Sequence, residues 1–171
     1  SARQKKDSSS SVAVDLVKKG ECDAVVSAGN TGAAVAASTI KLRTIPGVER
    51  AGIASPLPNE HGPCHIVDAG ANVEAKPSHL LGYAIMGSVY AKHVHGVKEP
   101  LVGLMSVGEE ESKGTDFTRE VFDLLKESEL NFKGNVEGHD LFQTKLDVVV
   151  CDGFVGNVVL KSCEATAKAM F

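Results

Sequence analysis

Residues 146–157 read LDVVVCDGFVGN. The run Val148–Cys151 is apolar throughout and too short for a helix, so it reads as a strand buried on both faces. It stops at Asp152-Gly153. From Asn157 to Phe171 a helix is expected, with Leu160, Cys163, Ala167 and Met170 recurring at helical spacing on its core side. The same succession stands at two other places. DAVVSA (23–28) runs into Ser27-Ala28-Gly29-Asn30-Thr31-Gly32 and then a helix from about Asn30 to Leu42. Ala33, Ala34, Ala36 and Ala37 would let that helix approach a sheet closely. HIVDAGA (65–71) leads through Asp68-Ala69-Gly70-Ala71-Asn72 to a long helix opened by Pro77-Ser78 and reaching about Val94.

The rest of the chain fits between these units. AGIASPL (51–57) precedes HIVDAGA at hairpin spacing, LVGLMSV (101–107) is a buried strand, and NFKGNVEG (131–138) is a short strand ending in a turn. Serines 8–11 cap a first helix that Gly20 closes. Thr115 or Asp116 caps another, with Phe117, Val121, Leu124 and Leu125 on its apolar side. Buried strands alternating with helices predict an α/β protein, a three-layer α/β/α arrangement with a mainly parallel sheet in a single domain over 1–171.

Bulk properties narrow the function. Of 171 residues, 43% are hydrophobic and 23% charged, enough to bury a core. A net charge of −4, two Tyr and no Trp argue against a nucleic-acid partner. No apolar run approaches the roughly 18 residues of a membrane-spanning helix. The four cysteines, Cys22, Cys64, Cys151 and Cys163, show no CxxC spacing and read as reduced thiols of a cytoplasmic protein. The chain begins without Met and stops inside a helical pattern, so it is expected to be a piece of a longer one.

In open α/β sheets ligands bind beyond the carboxyl ends of the strands. The three glycine-containing turns are therefore expected along one edge, sharing one cleft. SAGNTGA matches neither the dinucleotide fingerprint nor the P-loop. It still offers a helix N-terminus with Ser27, Gly29, Asn30, Thr31 and Gly32, which suits phosphate or carboxylate. A tight turn that merely packs is the plain alternative. Asp68 follows an apolar strand, where a carboxylate is costly unless paired or useful. Asn72, Glu74 and Lys76 follow it, GEEESKG (108–114) brings Lys113, GNVEG brings Asn135 and Glu137, and CDGFVGN brings Asp152, Gly153 and Asn157. Cys151 has no local base and reads as a small buried hydrophobe. His61, Cys64 and His65 lack a matching second pair, so no metal is expected.

The wording and order of VVSAGNTGA, VDAGANVEAKP, MGSVYA, GEEESKG, NFKGNVEG and VVVCDGFVGNVVLK resemble the bacterial phosphate acyltransferase family, PlsX, over essentially the whole chain. The resemblance implies transfer of a long-chain acyl group from acyl-[acyl-carrier-protein] to inorganic phosphate, for phospholipid synthesis. It also implies a fold similar to phosphotransacetylase and the isocitrate/isopropylmalate dehydrogenases. No cofactor, organic or metal, is implied. The partners implied are acyl carrier protein, a second copy in a homodimer, and the inner membrane surface. The family's opening AMGGDH-like segment and its C-terminal helical section have no match here. Phosphate is already ionised at neutral pH, so the protein's task is to position two reactants and stabilise an oxyanion. Asn30, Lys76, Lys113 and Asn135 are the expected catalytic residues. Ser27, Gly29, Thr31, Gly32, Asp68, Asn72, Glu137, Asp152, Gly153 and Asn157 are the expected substrate-binding ones. Asp68 and Asp152 are read as holding donors in place. A short-chain phosphotransacetylase and a non-catalytic binding module are the alternatives.

Overall fold

The computed structural model describes residues 8–170. They divide into two compact units, one ending at Ala51 and one beginning at Gly52, where the sequence predicts a single domain.

The first unit is a helix pair. Helix α1 (Ser9–Lys18) is capped by the Ser8 hydroxyl, which accepts from the Ser11 N–H at 3.3 Å, and Gly20 closes it at φ +74°. Helix α2 (Thr31–Lys41) is capped by Asn30. Val14 and Ala37 are the buried apolar side chains. Lys41 donates to the Ser11 carbonyl at 3.1 Å and pairs with Asp15, joining the helices. DAVVSA is not a strand: residues 23–28 carry no ladder and Val26 is 97% exposed. A strand needs a partner for its N–H and C=O groups. Among the described residues none pairs with this segment.

The second unit holds the sheet. Its elements are β1 (Ala54–Leu57), β2 (Cys64–Val67), α3 (Pro77–Val94), β3 (Val102–Met105), α4 (Asp116–Lys126), β4 (Phe132–Val136), α5 (Asp140–Gln143), β5 (Val148–Val150) and α6 (Gly153–Met170). The strand order is β1-β2-β5-β3-β4. β1 runs antiparallel to β2, with Ala54 opposite Val67, as the hairpin spacing predicts. The other pairs are parallel: Ile66 faces Val149, Leu104 faces Val150, and Leu104 also faces Asn135. The fold is therefore mixed α/β around a mostly parallel sheet.

Two cores cover its two faces. On one, Leu80, Tyr83, Ala84, Val121, Phe122 and Leu125 of α3 and α4 meet Val67, Val102, Leu104, Val148 and Val150. On the other, Ile66, Val149, Cys64 and Cys151 meet Leu141, Val155, Val159 and Leu160 of α5 and α6. Successive strand residues point to opposite faces, so Val149 serves one core while its neighbours serve the other. Fully burying a side chain of this size stabilises by about 1.5–3 kcal/mol.

Helix α6 begins at Gly153, four residues before the predicted start at Asn157. Its far half also departs from the prediction: Ala167 and Met170 are exposed, because beyond Cys163 no described residue packs on that side.

Candidate functional site

The C-terminal ends of β2, β5, β3 and β4 share one edge because these strands are parallel. Asp68 leaves β2 there, fully buried. Its Oδ1 accepts the N–H groups of Ile53 (2.9 Å), Gly70 (3.2 Å) and Ala71 (2.9 Å). Its Oδ2 accepts the Asn72 N–H (2.7 Å) and the Asn72 side-chain amide (3.2 Å). The carboxylate thus replaces water for four main-chain donors and folds the turn around itself. The Asn72 amide also donates to the Tyr83 hydroxyl at 2.8 Å, and the fully buried Tyr83 ring lies against Gly52. Asp68 and Asn72 consequently spend their polar atoms on the scaffold.

The β5 end docks onto this turn. Gly153 N–H donates to the Asn72 carbonyl at 2.9 Å. A Cβ on Gly153 would lie 2.7 Å from that carbonyl oxygen, and one on Gly156 would lie 1.9 Å from the Asp68 carbonyl oxygen. Real Cβ atoms do not approach so closely, so these glycines are what let α6 start here. The Asn157 side chain lies over Gly70. Asp152 caps α6 by accepting the N–H groups of Phe154 and Val155, each at 2.9 Å, and the Gly156 N–H bonds the Asp152 carbonyl at 3.0 Å. Every first-turn donor of α6 is therefore occupied by protein. This helix start is a packing joint and not an open anion site.

Cys151, between these turns, is 3% exposed, and burial foremost, then the charges of Asp152 and Asp68, pushes its thiol pKa well up. It stays protonated and cannot act as a nucleophile at neutral pH. Burial likewise lifts Cys64 to about 12.

At the β3 and β4 ends, Asn135 donates its amide to the Glu110 carbonyl at 2.9 Å, which ties the 106–114 loop to the sheet. Among the described residues, its Oδ1 and the Ser106 hydroxyl are buried without a hydrogen-bond partner. Such atoms are rare in folded proteins, and a ligand donor would relieve them. Lys113 lays its stem across Gly108 and is exposed. Gly114, at φ +97°, leaves room for the Thr118 hydroxyl, which a Cβ would meet at 2.2 Å. Glu111 pairs with Lys126 at 3.0 Å on the surface. Lys76 is exposed just before α3, its N–H bonded to His79 Nδ1 at 3.0 Å. Among the described residues neither Lys76 nor Lys113 has a carboxylate partner. Glu137 sits at the β4 exit, where its N–H donates to Asp140 at 2.8 Å and its carboxylate lies 3.5 Å from His139.

The remaining predicted residues belong to the first unit. Asn30 Oδ1 accepts the Ala33 N–H at 2.9 Å, and the Asn30 carbonyl accepts from Ala33 and Ala34. The N–H groups of Thr31 and Gly32 find no protein acceptor among the described residues, in contrast to α6. Ser27 accepts the Gly29 N–H at 3.3 Å, and both residues line a cavity of about 540 Å³ beside Ala13, Val26 and Ala34.

Asp68, Asn72, Gly153 and Asn157 thus adjoin one another, and Asn135 adjoins the Lys113 loop. Sequence reasoning missed Tyr83, Gly156 and Ser106. The second glycine of DGFVGN was a usable signal for Gly156; a lone Tyr or Ser carries none.

Two solved structures share this architecture. The EutD phosphotransacetylase from Staphylococcus aureus superposes with a TM-score of 0.64 at 19% identity, covering 91% of this chain and 54% of that one. A branched-chain phosphotransacylase from Enterococcus faecalis V583 gives 0.60 at 16%, covering 91% and 64%. At such identities the likeness defines the fold. The sequence defines the family: the profile of the fatty acid synthesis protein family matches residues 1–171, and the chain belongs to that family. It is 61% identical to a phosphate acyltransferase of Akkermansia muciniphila over 98% of its length, and 53% identical to one of Geobacter sulfurreducens over 98%. It spans about half the length of these curated relatives (50% and 49%).

Proposed function

We propose that this chain is the central part of a phosphate acyltransferase that moves a long-chain acyl group from acyl carrier protein to inorganic phosphate, releasing acyl phosphate. The observation that carries the reading is 61% identity, across 98% of the chain, to a protein of that name. Two local features support it, both among the described residues: the N–H groups at the start of α2 that find no protein acceptor, and two lysines without carboxylate partners.

A phosphate oxygen attacks the thioester carbonyl, the carbonyl oxygen takes the negative charge, and the carrier thiolate leaves as the tetrahedral centre collapses. The nucleophile is ionised at neutral pH, so no strong base is required. Asn30, Thr31 and the Gly32 N–H contact phosphate or the oxyanion. Within the second unit, Lys76 or Lys113 is the cation assigned to an anionic group, with Asn135 orienting. Asp68, Asn72, Asp152 and Gly153 hold the frame, with Glu137 and Asn157 at its margin. The whole protein works as a cytoplasmic homodimer that touches the inner membrane surface. Within this segment no described helix is long and apolar enough to cross a membrane.

The test exploits the dual role of Asn30. Asn30→Ser keeps an N-cap acceptor, since Ser caps about as well as Asn, but removes the amide donors. In the full-length protein carrying this segment, phosphate-dependent thiol release from palmitoyl-carrier should fall at least about tenfold with unchanged melting, the scale of a lost oxyanion contact. Wild-type turnover would remove Asn30 from the mechanism. Faster release from acetyl-CoA than from palmitoyl-carrier would favour the short-chain phosphotransacetylase. No acyl phosphate from either donor would leave a binding module.

A further inference from the structure

At the opposite edge of the sheet, where β2 and β5 begin, lies a cavity of about 250 Å³. It is lined by His61, His65, His95, Lys145 and Asp147 among others. His65, on β2, is 3% exposed, and its main-chain N–H donates to the Asp147 carbonyl at 2.9 Å. His95, the C-cap of α3, is exposed. Their Nε2 atoms face each other at 3.3 Å, and Tyr90 closes on both rings edge-on, at 5.2 and 5.7 Å between centroids.

We propose that His65 and His95 form a two-imidazole site for a borderline transition-metal cation of the zinc class, distinct from the strand-end cluster and independent of acyl transfer. Two imidazole nitrogens on one tetrahedral zinc, each about 2.0–2.1 Å from it, stand about 3.3–3.4 Å apart, which is the spacing found. The ring centroids are only 4.9 Å apart. Rings joined by a straight N–H···N bond would add two full ring radii to the nitrogen separation. These are closer, so the two ring axes are not collinear and the pair is poorly aligned for a straight N–H···N bond. The buried Nδ1 of His65 has no hydrogen-bond partner among the described residues. With Nε2 on an ion, Nδ1 carries the ring proton, and its lack of an acceptor weakens the site.

Asp147 spends Oδ2 on the Leu101 N–H at 2.7 Å. Among the described residues no three His, Cys, Asp or Glu side chains stand within reach of one ion. Water therefore completes the shell, and His61 also lines the cavity. Cys64, beside His65 in sequence, packs in the core on the other face and takes no part.

The test is titration of the untagged chain with Zn2+ by calorimetry and with Co2+ by visible absorption, alongside His95→Gln and His93→Gln. His95 is exposed, so its replacement leaves the core intact; near-UV circular dichroism checks this. The expected result is one ion per chain, a tetrahedral Co2+ band, and at least about tenfold weaker binding in His95→Gln but not in His93→Gln. Absence of saturable binding at millimolar metal would overturn the proposal. Equal binding in His95→Gln would also overturn it, as would equal loss in both variants.

Discussion

Asp68→Asn tests whether one carboxylate organises the strand-end edge. The substitution keeps shape and volume but replaces one oxygen with an N–H2 group. If the remaining oxygen holds the Oδ1 position, the bonds from Ile53, Gly70 and Ala71 survive. The new amide then faces the Asn72 N–H, formerly bonded at 2.7 Å, and the Asn72 side chain, formerly at 3.2 Å. Two buried donors lose their acceptor and a third is added. The reverse orientation is worse, because three main-chain N–H groups lose theirs. Each buried donor left unmade costs about 1–3 kcal/mol, so the loss is about 3 kcal/mol or more. That is a large share of the roughly 5–15 kcal/mol of a typical domain. For a chain of this size it corresponds to a fall in Tm of about 6–12 °C. Both tyrosines, Tyr83 and Tyr90, lie in the second unit and there is no Trp, so tyrosine fluorescence in urea reports on that unit alone. Amide exchange at Ala71 and Asn72 should accelerate in step. A stability within about 0.5 kcal/mol of wild type, with those amides still protected, would refute the reasoning.

Two glycine-to-alanine changes should act in opposite directions. Gly156→Ala drives a methyl to 1.9 Å from the Asp68 carbonyl oxygen and should cost at least about 1–3 kcal/mol by urea denaturation, whereas Gly82→Ala, inside α3 with nothing within 4 Å, should gain about 0.5–1 kcal/mol. Equal effects would contradict the packing described. For pH, burial foremost and then the neighbouring His95 hold His65 below its ordinary value of 6.5. The fold favours neutral His65, so its contribution is present above about pH 6.5 and is lost as pH falls through the lower folded value. In metal-free buffer the urea midpoint should therefore decline on acidification below pH 6.5, and His65→Leu should flatten that decline; an identical pH profile in the variant would rule it out.

Much of the second unit was legible because its signals are local. VVV, CHIV and VGLM are short apolar runs bounded by turn residues, and each became a strand where expected. DAVVSA carries the same signal, yet Val26 is 97% exposed, because strand formation depends on a partner that composition does not encode. The misplaced start of α6 has a different cause. Asp and Gly read as punctuation, but Asp152 is the cap, and Gly153 and Gly156 lie inside the helix to permit close approach. The four-residue α5 is too short to leave a periodic trace. At the site, the cost of burying Asp68 predicted that it would be satisfied. The five N–H groups that satisfy it come from Ile53, the turn itself and the Asn72 side chain, a convergence only three dimensions display. Tyr83, eleven residues beyond Asn72, is invisible for the same reason.

The seam between α6 and the Asp68 turn has no slack: main chain meets main chain where even a methyl would not fit. A helix seated this way cannot slide or roll to admit a reactant. The 106–114 loop, at a neighbouring strand end, is held differently: by the Asn135 amide, by the Ser106 N–H on the Val136 carbonyl and by Glu111 on Lys126, with Lys113 exposed. Moving the helix would force main chain into main chain, whereas moving the loop would cost polar bonds that water can replace.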